Sequence, residues 1–202
     1  MSKKALIIVD VQNDFCPGGA LAVPDGHLIV PIINDLQANG KFDVIVATQD
    51  WHPKNHGSFA STHPGKSPGD IVRLGTLPQI LWPDHCVQFT PGAEFVSTLN
   101  TDKIEKIVQK GTDTEIDSYS GLNDNGHQTS TGLGEFLKEK GVTDVHIAGL
   151  ATDYCVKFTA LDSAAFGFKT SVVVGACRGV NLIPSDVDDA LRDMRLAGVS
   201  LL

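Results

Sequence analysis

The sequence predicts an α/β fold in which helices cover both faces of a doubly wound parallel sheet, a Rossmann-like three-layer arrangement. Apolar runs of strand length alternate with stretches of helical period along most of the chain. The first run, residues 5–9, is apolar throughout, which is typical of a central strand covered on both faces. The length of 202 residues fits one domain, residues 1–202, with a long loop insertion at about residues 51–103.

The predicted elements follow one another in the order expected of βα units. Short apolar runs predict the strands, and helical periodicity that ends at a glycine predicts the helices between them. The predicted strands cover residues 5–9, 44–47, 104–109, 145–150 and 171–174, with a short strand at the end, and the predicted helices cover about 28–39, 133–140, 155–166 and 184–197. In such a sheet, ligands bind outside the carboxyl ends of the strands.

Composition and charge argue against several classes of partner. Asp plus Glu number 24 against 16 for Lys plus Arg, and no basic block stands out, so nucleic acid is not an expected partner. No apolar run has the length of a membrane span or of a signal peptide. The four cysteines are widely spaced, which predicts reduced thiols and a cytoplasmic protein. A homo-oligomer is left open.

Four polar or reactive residues follow the predicted strands at their carboxyl ends. They are, in chain order, Asp10, Asp50, Lys110 and Cys155. Each one alone is often a surface residue that caps a strand. Because parallel strands bring their carboxyl ends to one edge of the sheet, the four are predicted to meet in one cleft.

Cys155 lies at the start of a predicted helix, with Thr152 or Asp153 as the expected N-cap. The helix dipole there favours a thiolate, and free backbone amides can hold an oxyanion. A small core residue is an equally good interpretation of this position. As a nucleophile, the thiol needs a proton acceptor and a cation, and Asp10 and Lys110 can supply these.

The insertion predicts a metal site. Asp50 and His52 stand two residues apart, and His85 lies towards the other end of the loop. Such mixed ligation suits one divalent ion, with Zn²⁺ as the leading candidate and Fe²⁺ or Mn²⁺ as alternatives. The fourth ligand is left open between His56, Ser58 and water.

Three aromatic residues are candidates for the walls of a substrate pocket. They are Phe15, Trp82 and Tyr119, and ordinary packing is the alternative for each.

Taken together, these residues resemble the nicotinamidases of the isochorismatase-like cysteine hydrolase superfamily. The resemblance runs in order over nearly the whole chain, in the stretches DVQNDFC at 10–16, DWHP at 50–53, WPDHC at 82–86, KG at 110–111, YS at 119–120 and GLATDYCV at 149–156. It implies a metal-assisted hydrolysis of nicotinamide to nicotinate and ammonia in NAD salvage, through a thioester acyl-enzyme. Use of pyrazinamide is consistent with it.

The resemblance also implies a role for each matching residue. The implied triad is Asp10, Lys110 and Cys155, and the implied metal ligands are Asp50, His52 and His85. A cis peptide bond between Leu150 and Ala151 is implied as well, with the amides of Ala151 and Cys155 aimed at the oxyanion. Phe15 and Trp82 are implied to pack around the substrate ring.

Two other function classes remain open from the sequence. One is a related amidase for carbamoyl or ureido compounds, or a vinyl-ether hydrolase; these relatives generally lack the metal set, and the latter also lacks the cysteine. The other is a non-catalytic binding module on a doubly wound sheet. No glycine-rich dinucleotide or phosphate loop supports the binding module.

Overall fold

The computed structural model describes residues 2–202. A six-stranded, all-parallel sheet has the strand order β5-β2-β1-β6-β7-β8, and an antiparallel hairpin pairs β3 with β4. The strands are β1 Lys3–Val9, β2 Val44–Asp50, β3 Ile71–Leu74, β4 Leu77–Ile80, β5 Lys106–Lys110, β6 Val142–Leu150, β7 Lys169–Arg178 and β8 Ser200–Leu201, and the α-helices are α1 Val30–Asn39, α2 Leu133–Glu139, α3 Lys157–Ala165 and α4 Asp186–Leu196. The predicted fold class is confirmed.

Helices cover both faces of β1, as its apolar sequence predicts. Successive side chains of a strand point to opposite faces. Leu6 and Ile8 pack in one core cluster with Ile33 of α1, whereas Ile7 belongs to the other cluster, with residues of α2, α3 and α4 such as Leu133. The sheet is therefore the middle layer of three.

The register of the sheet brings the predicted site residues to one edge. Strands β1, β2 and β5 are neighbours, and Asp50 at the end of β2 pairs directly with Lys110 at the end of β5. The backbone amide of Asp10, just beyond β1, donates to the carbonyl of Thr48 at 3.3 Å. Val9 pairs with Gly149 on the other side, which places the end of β6 beside the same edge.

The insertion contains more regular structure than the sequence predicts. Strands β3 and β4 form a hairpin within it, and isolated bridges pair Phe59 with Trp82 and His52 with Val87. Each hairpin strand has only four residues and is partly exposed, so neither shows an apolar alternation long enough to recognise. The two bridges pair the first half of the insertion with its second half.

The turn that carries Cys155 differs from the predicted helix start. A π-helical turn, Thr152–Val156, precedes α3, and within residues 2–202 no side chain caps its first amides. Asp153, one of the two expected caps, instead accepts hydrogen bonds from the amides of Val180 and Asn181 at 3.0 and 2.7 Å. The carboxylate thus joins this turn to the loop after β7.

Over residues 2–202, every helix falls short of the length and apolar character needed to cross a bilayer.

We expect Ile147→Ala to lower the free energy of unfolding by about 2–5 kcal/mol, because it leaves a cavity in the middle of β6. Ile147 is fully buried, whereas Ile71 of the hairpin is 66% exposed, so Ile71→Ala serves as the matched control with little effect. Urea unfolding followed by circular dichroism measures both. Equal losses for the two variants would contradict this description of the core.

Candidate active site

A cavity opens at the carboxyl ends of β1, β2, β5 and β6. Its lining includes eight of the residues that the sequence predicts for the site: Phe15, Asp50, His52, Trp82, His85, Tyr119, Ala151 and Cys155. Cys155 also packs in a core cluster, but it faces this cavity as well. The interpretation of Cys155 as a core residue alone is therefore incomplete.

The predicted triad is assembled around the ammonium of Lys110. Its Nζ lies 2.9 Å from Asp10 Oδ2 and 3.4 Å from Cys155 Sγ. Asp10 Oδ1 accepts a hydrogen bond from the hydroxyl of Thr48 at 2.6 Å. Within residues 2–202, the buried Asp10 Oδ2 has the Lys110 ammonium as its ion-pair partner, and a carboxylate oxygen of Asp10 lies within 4.8 Å of Cys155 Sγ. Asp10 is therefore close enough to exchange a proton with the thiol.

The electrostatics favour a neutral thiol at Cys155 in the resting protein. Burial raises the pKa of Cys155 well above its ordinary value, and the carboxylates of Asp10 and Asp50 raise it further against the effect of Lys110. The thiolate that the helix dipole predicts is not favoured here. Burial also raises the pKa of Asp10, although Lys110 and Thr48 oppose this. The neutral thiol of Cys155 needs a nearby base before it can attack, and the raised pKa of Asp10 makes that carboxylate suitable to accept the proton.

Lys110 itself keeps its proton. Burial lowers the pKa of its ammonium, but Asp10 and Asp50 raise it by more, so that the net shift is well upward. Lys110 also donates a hydrogen bond to the carbonyl of Ser118 at 2.9 Å.

The three predicted metal ligands converge beside the triad. Asp50 Oδ2 lies 3.6 Å from His52 Nε2 and 3.9 Å from His85 Nε2, and one donor atom from each residue lies within 4.8 Å of the other two. All three side chains are buried. The set of one carboxylate oxygen and two imidazole nitrogens suits Zn²⁺ and other divalent transition metals.

Backbone carbonyls orient both imidazoles. His52 Nδ1 contacts the carbonyl of Gly111 at 2.8 Å, and His85 Nδ1 contacts that of Pro83 at 2.8 Å. Each Nε2 is thereby turned towards Asp50, as is usual for histidine ligands of metals. Gly111 has a φ of +65°, and a Cβ there would lie 2.4 Å from the His52 ring. Glycine is therefore needed directly after Lys110.

The charge of the three ligands also fits a cation. Burial raises the pKa of Asp50, but Lys110 and His52 lower it by more, so it stays ionised. Burial and the neighbouring His52 lower the pKa of His85 to about 4, which leaves its ring neutral. Burial lowers the pKa of His52, but Asp50 raises it by more, so a metal ion has to displace a proton there.

The two candidates for a fourth ligand contact each other. His56 Nδ1 lies 2.7 Å from Ser58 Oγ, while within residues 2–202 the buried His56 Nε2 has no hydrogen-bond partner. The rings of His56 and His52 lie 4.4 Å apart. His56 also groups with His52 and Asp117 as possible donors, separately from Asp50 and His85. The fourth ligand stays undecided between these residues and water.

The aromatic residues form the walls of the cavity. The rings of Phe15 and His85 lie 5.5 Å apart, and those of Trp82 and Tyr154 lie 4.9 Å apart edge to face. Trp82 Nε1 donates to the hydroxyl of Tyr119 at 3.1 Å. Trp82 and Tyr119 therefore share one wall with Tyr154, a residue that sequence reasoning did not single out.

The cis peptide bond between Leu150 and Ala151 is present, as the family resemblance implies. Both Ala151 and Cys155 line the cavity. The use of their amides as the oxyanion hole stays a prediction.

Sequence reasoning missed two further buried residues around the cavity, Asp117 and Gln79. Asp117 lines the cavity, and Gln79 hydrogen-bonds to Asp117 and to Tyr119. Asp117 lies two positions before the YS motif, so a polar residue near a site motif is the signal that could have found it. Gln79 lies in the unpredicted hairpin and carries no such signal.

The chain matches known proteins over nearly its whole length. The Isochorismatase domain family matches residues 4–202. A nicotinamidase of Escherichia coli is 46% identical over 205 residues, which cover 100% of this chain and 95% of the relative.

Solved structures agree in fold over the whole length. An Acinetobacter baumanii nicotinamidase and pyrazinamidase has a TM-score of 0.96 at 46% identity, with 100% of this chain and 96% of that chain covered. The yeast nicotinamidase bound to the inhibitor nicotinaldehyde has a TM-score of 0.92 at 34% identity, covering 98% and 99%. A pyrazinamidase of Pyrococcus horikoshii in complex with zinc has a TM-score of 0.78 at 39% identity, covering 99% and 98%. From the family match and these identities together, the chain belongs to the isochorismatase family.

Proposed function

We propose that this protein is a nicotinamidase, an amidohydrolase that converts nicotinamide and water to nicotinate and ammonia. The observation that carries the proposal is the shared cavity. Cys155 and the Asp50, His52 and His85 group line it together, and Cys155 Sγ lies within 4.8 Å of a carboxylate oxygen of Asp50. The identity to nicotinamidases over the full chain supports the substrate.

In the first half of the reaction, Cys155 Sγ attacks the amide carbon and its proton passes to Asp10. A C–S bond forms, and the carbonyl electron pair moves to the oxygen. When the tetrahedral intermediate collapses, the C–N bond breaks and Asp10 returns the proton to the leaving nitrogen, which departs as ammonia. A thioester remains on Cys155.

In the second half, water attacks the thioester carbon and gives a proton to Asp10. The C–O bond forms, the C–S bond breaks, and the proton returns to the sulfur of Cys155. The Lys110 ammonium stabilises whichever neighbour carries the negative charge at each stage, since it lies 2.9 Å from Asp10 and 3.4 Å from Cys155. The amides of Ala151 and Cys155 are proposed to stabilise the oxyanion, an effect worth roughly 3–4 kcal/mol per donor.

Asp50, His52 and His85 would hold the divalent ion, for which we propose zinc, as in the pyrazinamidase of Pyrococcus horikoshii. When bound, the ion supplies a Lewis acid for the pyridine nitrogen, which orients the ring. Phe15 and Trp82 pack against the ring faces and exclude water. Pyrazinamide keeps a nitrogen at the same ring position, so we include it among the proposed substrates.

The metal group favours this reaction over hydrolysis of a carbamoyl or ureido compound. Such a substrate has no ring nitrogen for a metal to bind, and it would leave three buried ligands without a use. We further infer one hydrolase domain over residues 1–202, in a cytoplasmic protein. The location is supported by the four cysteines, which are all free thiols.

The decisive experiment measures ammonia release from nicotinamide by purified protein supplied with Zn²⁺. We expect turnover by the wild type and, because the nucleophile is lost, none by Cys155→Ala. Circular dichroism and thermal unfolding check that the variant is folded. Absence of turnover in the wild type under these conditions would refute the proposal, and full activity of Cys155→Ala would refute the covalent mechanism.

Asp10→Asn tests the proton carrier. The substitution keeps the size of the side chain but removes the base, so we expect kcat to fall by about 10²–10⁴-fold. Lys110 retains Asp50 as its ion-pair partner, which favours correct folding of the variant. A kcat within a few-fold of wild type would show that another group moves the proton.

His52→Ala tests the metal site by metal content rather than activity. We expect it to lower the zinc bound per chain after dialysis, because one of three buried ligands is lost. His27 is exposed and lies outside the ligand group, so His27→Ala is the matched control and should bind as much metal as the wild type. Elemental analysis measures both. Unchanged metal content in His52→Ala would contradict the assignment.

A further inference from the structure

We propose that Gln79 is a positioning residue that fixes the orientation of Tyr119 and thereby limits the size of the ring that the active-site cavity accepts. The inference rests on the proposed hydrolysis of a pyridine carboxamide. Gln79 lies on β4 of the hairpin and is 3% exposed.

The side-chain amide of Gln79 is held in one orientation. Its Nε2 lies 2.7 Å from the carbonyl of Ile80, 3.2 Å from Asp117 Oδ2 and 3.0 Å from the hydroxyl of Tyr119. The carbonyl and the carboxylate accept hydrogen bonds, so the NH₂ group faces them. Its two hydrogens are shared among three acceptors, of which the Tyr119 hydroxyl is one.

Trp82 supplies a second donor to the same hydroxyl. Its Nε1 lies 3.1 Å from the Tyr119 oxygen. Burial and the nearby Asp117 raise the pKa of Tyr119 well above its ordinary value, so the hydroxyl stays neutral and accepts both hydrogen bonds. A rotation of the phenol would remove the acceptor of the buried Trp82 Nε1 and one of the three acceptors around the Gln79 amide, which is costly.

Tyr119 lines two cavities. The active-site cavity is small, about 30 Å³, whereas the second cavity that Tyr119 lines has a volume of about 260 Å³. Leu77, Pro78 and Phe158 line that second cavity, and the Phe158 ring stacks on Tyr119 with centroids 5.4 Å apart. The orientation of Tyr119 thus decides whether the active site ends at a single ring or opens into the larger space.

Gln79 acts through Tyr119. Within the described part of the chain, it is not among the residues that line either cavity. Its side chain reaches the phenol from the hairpin. The chain continues directly from the end of β4 to Trp82 and His85. Gln79 therefore takes part in substrate selection without contact with the substrate.

The test compares wild type with Gln79→Met, which keeps the length of the side chain but removes the donor. We expect KM for nicotinamide to rise about three- to tenfold, the effect of one lost hydrogen bond, with kcat within about twofold. The ratio of kcat/KM for quinoline-3-carboxamide to that for nicotinamide should rise, because the second ring gains access to the larger cavity. Gln88→Met is the control, since Gln88 is on the same insertion and donates to the carbonyl of Trp51 instead.

A double-mutant cycle tests whether Gln79 acts through Tyr119. Tyr119→Phe removes the acceptor, so it should raise KM and the quinoline ratio by itself, and adding Gln79→Met should then change them little. Additive effects in the double variant would overturn the inference, as would an unchanged KM and ratio in Gln79→Met. If Gln79→Met does not fold, as judged by thermal unfolding, Tyr119→Phe alone decides, and unchanged selectivity in it overturns the proposal. Failure of the wild type to turn over nicotinamide would instead refute the proposed function.

Discussion

The rest of the site depends on the ion pairs of the buried Lys110 ammonium. The ammonium lies between two carboxylates, 2.9 Å from Asp10 and 2.5 Å from Asp50, and it also contacts Cys155. A buried charge without its partners destabilises the folded state by several kcal/mol. Asp10, Asp50 and Lys110 are therefore stable in the core only together. Because Asp50 offers one oxygen to Lys110 and the other to the histidines, a single cation links the nucleophile to the metal ligands.

The parallel register explains why these three charged residues meet at one edge of the sheet. Asp50 and Lys110 are paired residues of neighbouring strands, and Asp10 follows the strand on the other side of β2. Once a metal ion has displaced the proton of His52, and with His85 neutral, two carboxylates and one ammonium leave one negative charge in excess. A site of this charge is better suited to a divalent cation than to a bound anion. The sheet thus determines both the position of the base and the charge that makes metal binding favourable.

The sequence predicts the parts that follow from periodicity and from strand ends. The five main strands and Asp10, Asp50, Lys110 and Cys155 belong to this class, because a buried parallel strand is recognisable and its carboxyl end points to the site. The hairpin, the role of Gln79 and the neutral thiol could not be predicted. They depend on short half-exposed strands, on contacts between distant segments and on the depth of burial, which local sequence does not encode.

The sheet and the insertion contribute to two different properties, the chemical reaction and the choice of substrate. The strand ends supply the residues proposed as nucleophile, base and cation, whose roles define acyl transfer as the reaction. The insertion supplies His52, His85 and Trp82, which line the cavity, and Gln79, which hydrogen-bonds to Tyr119 in its wall. Because Asp50 stands at the junction of the two, a change in the insertion can alter the choice of substrate while the ion pairs that support the chemistry remain in place.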